Sequence, residues 1–161
     1  MIRDGTKKDL KRFSQICSES FPHGHTKFSS KPIEEIVKYF MRYLDENLPK
    51  GGFLVYLDKD EIVGGICYRN KKYSDFRLNH LAVDLSHRRK GVGKKLIAAA
   101  EERIMDYVDK NNIKGAKISL RVLSDEFGLK EYYESIGYEL QKASRHWYNQ
   151  EQLVYVLEKI I

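Results

Sequence analysis

Arg88-Arg89-Lys90-Gly91-Val92-Gly93-Lys94 lies between the apolar run 78–83 and the helix-like stretch 96–108. Two glycines flanked by cations, where a strand ends and a helix begins, describe a backbone loop that holds phosphates. Glycines let the chain turn tightly and bring its N–H groups close to an anion, and the helix N-terminus adds partial positive charge. The expected ligand is a cofactor that bears phosphate.

The loop's departures from other phosphate-binding patterns narrow that choice. A Walker A loop needs a glycine five positions ahead of its Gly-Lys pair, and Arg88 stands in that place before Gly93-Lys94. A dinucleotide fingerprint needs a third glycine three residues after the second, and that residue is Leu96. ATP, GTP, nicotinamide and flavin cofactors are therefore disfavoured. Arg88-x-x-Gly91-x-Gly93 resembles the pyrophosphate motif of the GNAT superfamily of N-acetyltransferases, (Gln/Arg)-x-x-Gly-x-(Gly/Ala). Leu81-Ala82-Val83-Asp84 upstream resembles that family's fourth strand. Tyr132-Tyr133-Glu134-Ser135-Ile136-Gly137-Tyr138 downstream resembles its (Leu/Tyr)-Tyr-x-x-x-Gly-(Phe/Tyr) signature. The three matches occur in the family's order and spacing.

The bulk properties fit one folded domain over residues 1–161, long enough to bury roughly two-thirds of its unfolded surface. Hydrophobic residues make up 42% and charged residues 32%, a balance of folded rather than disordered chains. No uncharged apolar run approaches the roughly 20 residues that cross a bilayer, and Met1-Ile2-Arg3-Asp4-Gly5 carries charge where a secretion signal is apolar. A cytoplasmic protein without a membrane partner is expected. Cys17 and Cys67 are spaced neither as a redox pair nor as part of a ligand cluster, and His23-Gly24-His25 lacks nearby cysteines or carboxylates, so no metal is implied. The net charge of +6 raises the question of nucleic acid. Much of the excess, however, is gathered in Arg88, Arg89, Lys90, Lys94 and Lys95, where an anionic cofactor accounts for it.

Periodicity gives the order of elements. A short edge strand in 1–6 precedes a helix over 9–20, with Leu10, Phe13, Ile16 and Cys17 at helical spacing. Pro32 opens a second helix to about residue 47. Strands follow at 53–57, 62–68 and 76–83, then the phosphate loop, a long helix to about 110, a strand at 116–123, a short helix at 127–135, and a hairpin of 138–142 with 153–160. This is an α/β fold with about four helices and a mixed, mostly antiparallel sheet of about six to seven strands. It is also the order that the GNAT resemblance implies, with strands 4 and 5 splayed.

By that resemblance the cofactor is acetyl-CoA, as donor substrate, and the reaction is acetyl transfer to a small-molecule or peptide amine. Leu81, Ala82 and Val83 would hold the pantetheine arm in the gap between strands, while Arg88, Arg89, Lys90, Gly91, Val92, Gly93 and Lys94 would hold the pyrophosphate. An alkyl ammonium, with a pKa near about 10.4, must lose a proton before attacking the thioester. The resulting oxyanion would take a backbone N–H at or beside Leu81. Tyr133 matches the family's tyrosine near the cofactor sulfur, the acid for the departing thiolate, and otherwise packs as a helix aromatic. Where some protein-modifying relatives place Glu or His as the base on the fifth strand, twelve residues before the matching tyrosine, this chain has Arg121, a fixed cation that cannot accept the proton. His80, on the fourth strand, is the substitute base by type, beside a structural role or a water chain. Glu126 replaces the family's cofactor-contacting asparagine and would contact the cofactor or acceptor ammonium, or cap the following helix. Acceptor walls are expected at 21–26 and 145–148. A non-catalytic acyl-CoA-binding module and a basic nucleic-acid binder remain the alternatives, and the sequence leaves a monomer or a homodimer open.

Overall fold

The computed structural model describes residues 1–20, 32–47, 51–124, 126, 128–146 and 151–161. Seven strands form one sheet: β1 (Ile2–Asp4), β2 (Gly51–Asp58), β3 (Glu61–Lys72), β4 (Asp75–Val83), β5 (Lys117–Leu123), β6 (Glu139–Arg145) and β7 (Leu153–Ile160). Their spatial order is β1-β2-β3-β4-β5-β7-β6, and every neighbouring pair is antiparallel except β4 with β5. The single parallel pair exists because α3 (Val92–Lys110) carries the chain back across the sheet between β4 and β5.

Helices cover both faces. α1 (Leu10–Ser20) and α2 (Ile33–Asn47) bury Leu10, Phe13, Ile16, Cys17 and Phe40 against Phe53, Val55, Cys67 and Ala82. On the opposite face α3 sets Leu96, Ile97, Ala100, Ile104 and Val108 against Leu54, Ile66, Phe76, Leu78, Ile118, Leu120 and Leu157. α4 (Leu129–Ser135) closes that core with Tyr133, and Tyr138 follows it. Alternation along each strand sorts these sets, so Leu54 and Ile66 face α3 while Phe53, Val55 and Cys67 face α1.

Polar ties fix the helices to the sheet. Arg3 donates through both terminal nitrogens to Asp9 (2.8 and 2.9 Å), and Asp9 also accepts from the Thr6 N–H and hydroxyl, which locks β1 to the start of α1. Buried Tyr138 donates to Glu101 of α3 at 2.8 Å, and Lys159 of β7 donates to the same carboxylate.

The element order matches the sequence expectation, with shifted ends. β2 begins at Gly51 and β3 runs to Lys72, because Gly51 pairs with Arg69 and extends the hairpin past its apolar residues. The short helix begins at Leu129, because left-handed Gly128 (φ 77°) is its N-cap.

Gly65 lies under Phe13 of α1: a Cβ there would lie 2.6 Å from the Phe13 ring and 2.7 Å from the Leu54 carbonyl oxygen. Gly65→Ala should therefore destabilise the protein by about 1–3 kcal/mol through overpacking, read as a lower urea midpoint with unchanged slope.

Candidate functional site

The site begins where β4 and β5 part. They pair at three positions only, Asp75 with Lys117, Phe76 with Ile118 and Arg77 with Ser119, after which β5 continues to Leu123 beside β7 alone. β4 carries an extra residue in the same region: opposite β3 the register moves from Gly65 with Ala82 to Cys67 with Asn79. His80 absorbs the bulge with a left-handed φ of 50°, a conformation that non-glycine residues adopt at a cost of about 1–3 kcal/mol. Past the bulge, Asp84 N–H donates to Val63 O at 2.8 Å, and alternation turns the backbone of Ala82 toward β3 as well. The peptide groups of Leu81 and Val83 consequently face the gap. Ala82 buries its methyl under α1 and α2.

A loop built around backbone N–H groups closes the end of the gap. Asp84 accepts from the Ser86 N–H (3.1 Å), the Ser86 hydroxyl (2.7 Å) and Arg12 of α1 (2.9 Å), and so fixes the turn Leu85–His87. These bonds, those of Ser86 foremost, hold the Asp84 carboxyl at about 2, well below the usual carboxylate range. The Arg88 side chain folds back, donating to Val83 O (3.0 Å) and Ser20 Oγ (3.2 Å), and pins the loop to β4 and α1. Arg89 (φ 62°) and Gly91 (φ 78°) are left-handed on either side of Lys90, a curl that turns successive N–H groups into an anion-binding concavity. The first bond of α3 runs from Lys95 N–H to Gly91 O at 3.1 Å, so the N–H groups of Val92, Gly93 and Lys94 precede the helical ladder. A Cβ on Gly91 would meet nothing within 4 Å, and one on Gly93 only Leu81 Cδ2 at 3.7 Å. Exposed Arg89, Lys90 and Lys94 surround that open approach. Amides, charge and free space together could hold a diphosphate.

Tyr133 is 6% exposed, packed edge-on against Tyr138 and tilted on Tyr132. Burial first, then the charge of Glu126, pushes its phenol well up, so it stays protonated at neutral pH. Glu126 does not cap α4, whose N-cap Gly128 brings no side chain; its carboxylate accepts instead from the Leu123 N–H at 2.7 Å and closes the end of β5. The His80 ring stands edge-on to Phe40 and Tyr43 of α2, at 5.2 and 4.5 Å between centroids. Cys17 and Cys67 are buried free thiols, and desolvation raises both well above the usual range.

Other residues enter that periodicity alone did not single out. Asn79 donates to the Tyr43 hydroxyl, joining β4 to α2 beside His80. Arg69 of β3 pairs with Arg77 of β4. The only advance signal was their two-residue spacing from Cys67 and Asn79, which has meaning once the register is known. The 21–26 segment with His23 and His25, and Trp147 and Tyr148 of the late loop, lie outside the described residues. No helix among the described residues is long and apolar enough to cross a membrane.

Residues 49–140, more than half of the chain, match the family model of the acetyltransferase (GNAT) domain. Among solved structures the fold is similar to ribosomal-protein-alanine N-acetyltransferase from Brucella melitensis, with a TM-score of 0.77 and 15% identity over 100% of this chain and 99% of that one. It is similar to Ard1 from Thermoplasma volcanium (TM-score 0.71, 20% identity, 100% and 97% covered). It is also similar to PaiA N-acetyltransferase from Thermoplasma acidophilum in complex with coenzyme A (TM-score 0.70, 18% identity, 100% and 98% covered). No curated protein matches the chain.

The loop's anchor is testable by titration. The Asp84 carboxyl should titrate near about 2 in a carbon-detected NMR experiment, with Ser86→Ala raising the midpoint more than Arg12→Gln, because the Ser86 hydroxyl bond is the larger cause. Since the folded value lies below the ordinary 3.8, this contribution to stability is present above pH 4 and disappears as pH falls through about 2.

Proposed function

Because the chain belongs to the GNAT acetyltransferases, we propose that it transfers the acetyl group of acetyl-CoA to a primary amine by direct attack on the thioester. The observation that carries this is the pairing of an open strand gap with an amide-lined, cation-ringed loop at its end. Acetyl-CoA, when bound, supplies an activated carbonyl and a thiolate leaving group. The N–H groups of Gly91, Val92, Gly93 and Lys94 hold the diphosphate, aided by the charges of Arg89, Lys90 and Lys94. The gap-facing peptide groups of Leu81 and Val83 hold the pantetheine arm, and the N–H at Leu81 is the oxyanion donor.

Tyr133 keeps a proton on its phenol oxygen, ready for the departing sulfur. His80 accepts the acceptor's proton, directly or through water, and its ring orientation is set by Phe40 and Tyr43. Arg121 assists in a different way: a nearby guanidinium disfavours the ammonium form of the acceptor and so eases its deprotonation. Direct attack is supported by the burial of Cys17 and Cys67, which keeps both thiols from serving as acyl carriers. Two free thiols also accord with a cytoplasmic enzyme.

Acetyl-CoA should raise the melting temperature by mass action, and Gly91→Glu, which sets a carboxylate where the diphosphate approaches, should remove the shift. Tyr133→Phe should lower turnover about a hundredfold with cofactor affinity nearly unchanged, measured by thiol release and by calorimetry. An unshifted melting curve at saturating donor would refute acetyl-CoA as the substrate. CoA binding with no thiol release from any amine would mark a sensing module.

A further inference from the structure

Three arginines stand in a row on the face of the sheet that α1 and α2 cover. Cys67 points to that face, so Arg69, two residues further along β3, does too. Arg69 is registered opposite Arg77 of β4, and Arg77 opposite Ser119 of β5, whose next same-face neighbour is Arg121. The row therefore crosses β3, β4 and β5 where the last two begin to part. Arg69 and Arg77 are half-buried, and the Nε atoms of both are shut from solvent without a hydrogen-bond partner.

Among the described residues none of the three arginines makes an ion pair. The carboxylates of adjoining strands are already engaged, Asp75 with Lys71 and Lys117, and Glu158 with Lys117. Outside the described residues, segments 21–31, 48–50 and 147–150 contain no aspartate or glutamate, and Asp125 is the one acidic residue. Desolvation first, then the like charge of Arg121 and more weakly that of Arg69, lowers the affinity of Arg77 for its proton, against the opposing pull of Tyr43 and Asp75. Clustered guanidiniums without an ion-pair partner, two of them partly withdrawn from water, are stabilised when an anion joins them. Their planar forks match carboxylate and phosphate oxygens.

We propose that the acceptor amine carries an oxyanion, carboxylate or phosphate, and that Arg77 and Arg121, backed by Arg69, seat this group so that the amine points into the gap between β4 and β5. This deepens the acetyl-transfer assignment and rests on it for the amine's role. Arg77 and Arg121 are specificity determinants, and the same row repels polycationic amines.

The test uses four small amines with the whole protein: β-alanine, O-phosphoethanolamine, ethanolamine and 1,3-diaminopropane. Binding is measured by calorimetry in the presence of saturating CoA, and transfer by thiol release from acetyl-CoA. β-Alanine or O-phosphoethanolamine should bind about tenfold or more tighter than the other two, and the stronger of them tells a carboxylate seat from a phosphate seat. Arg77→Gln and Arg121→Gln should erase the preference. Arg77→Lys should keep part of it, and Lys110→Gln, at the far end of α3, should keep all of it. Anionic amines that bind no better than ethanolamine, or a preference that survives in both glutamine variants, would overturn the seat whether or not transfer is seen. Arg-dependent binding of anionic amines with no thiol released would leave the seat standing and remove acetyl transfer instead.

Discussion

A parallel strand pair that holds for three positions and then parts leaves peptide groups of both strands without sheet partners, and such groups persist only where something else meets them. The rest of the molecule arranges itself around this opening. α3 must leave the end of β4 and return beside β5, so its N-terminus falls at the mouth of the gap, where its first amides face outward. The bulge at His80, past the last pairing of β4 with β5, resets the alternation of β4 within the gap, which decides that Leu81 and Val83, rather than Ala82, turn their peptide groups into it. The strained residue is held by the β3 pairing of Asn79 and Ala82 on either side of it and by the rings of Phe40 and Tyr43. Arg88 and Asp84 then tie the loop to α1, so the helix that covers one face also steadies the loop at the strand's end.

Much of this was legible in the chain. Hydrophobic period and breaker residues located each described element, because long amphipathic helices and apolar strands announce themselves through the same burial that stabilises them. The loop was legible for a related reason: a tight turn that exposes amides needs glycine at left-handed positions, and Gly91 is such a position. Less could be read where geometry depends on register. Nothing in His80 itself announces a left-handed residue inside a strand. Arg121 stood out as a misfit on β5, yet its neighbours Arg69 and Arg77 lie 52 and 44 residues away in sequence and meet it only through two strand pairings. Glu126 was legible as a local hydrogen-bonding residue and not by its target, since capping a helix and closing a strand draw on the same carboxylate.

The chain's positive balance divides into two places of unlike character. Arg89, Lys90 and Lys94 are exposed at the loop, where water screens them. Arg69 and Arg77 are partly withdrawn from water behind the strand gap, where screening is weaker and each charge weighs more. Two cation-rich regions thus flank one opening. On the assignments proposed above, one would take the cofactor's diphosphate and the other the acceptor, with the reacting atoms meeting between them.

The margins of the sheet have their own consequence. β1, at one border, is only three residues long, and β6, at the other, is exposed along almost its whole length and carries Glu139, Lys142 and Arg145. A border that short, or that charged, is a poor template for a stray strand from another molecule. Crowded, freshly synthesised copies would therefore find little free ladder and much charge along their rims, which disfavours stacking into fibrils.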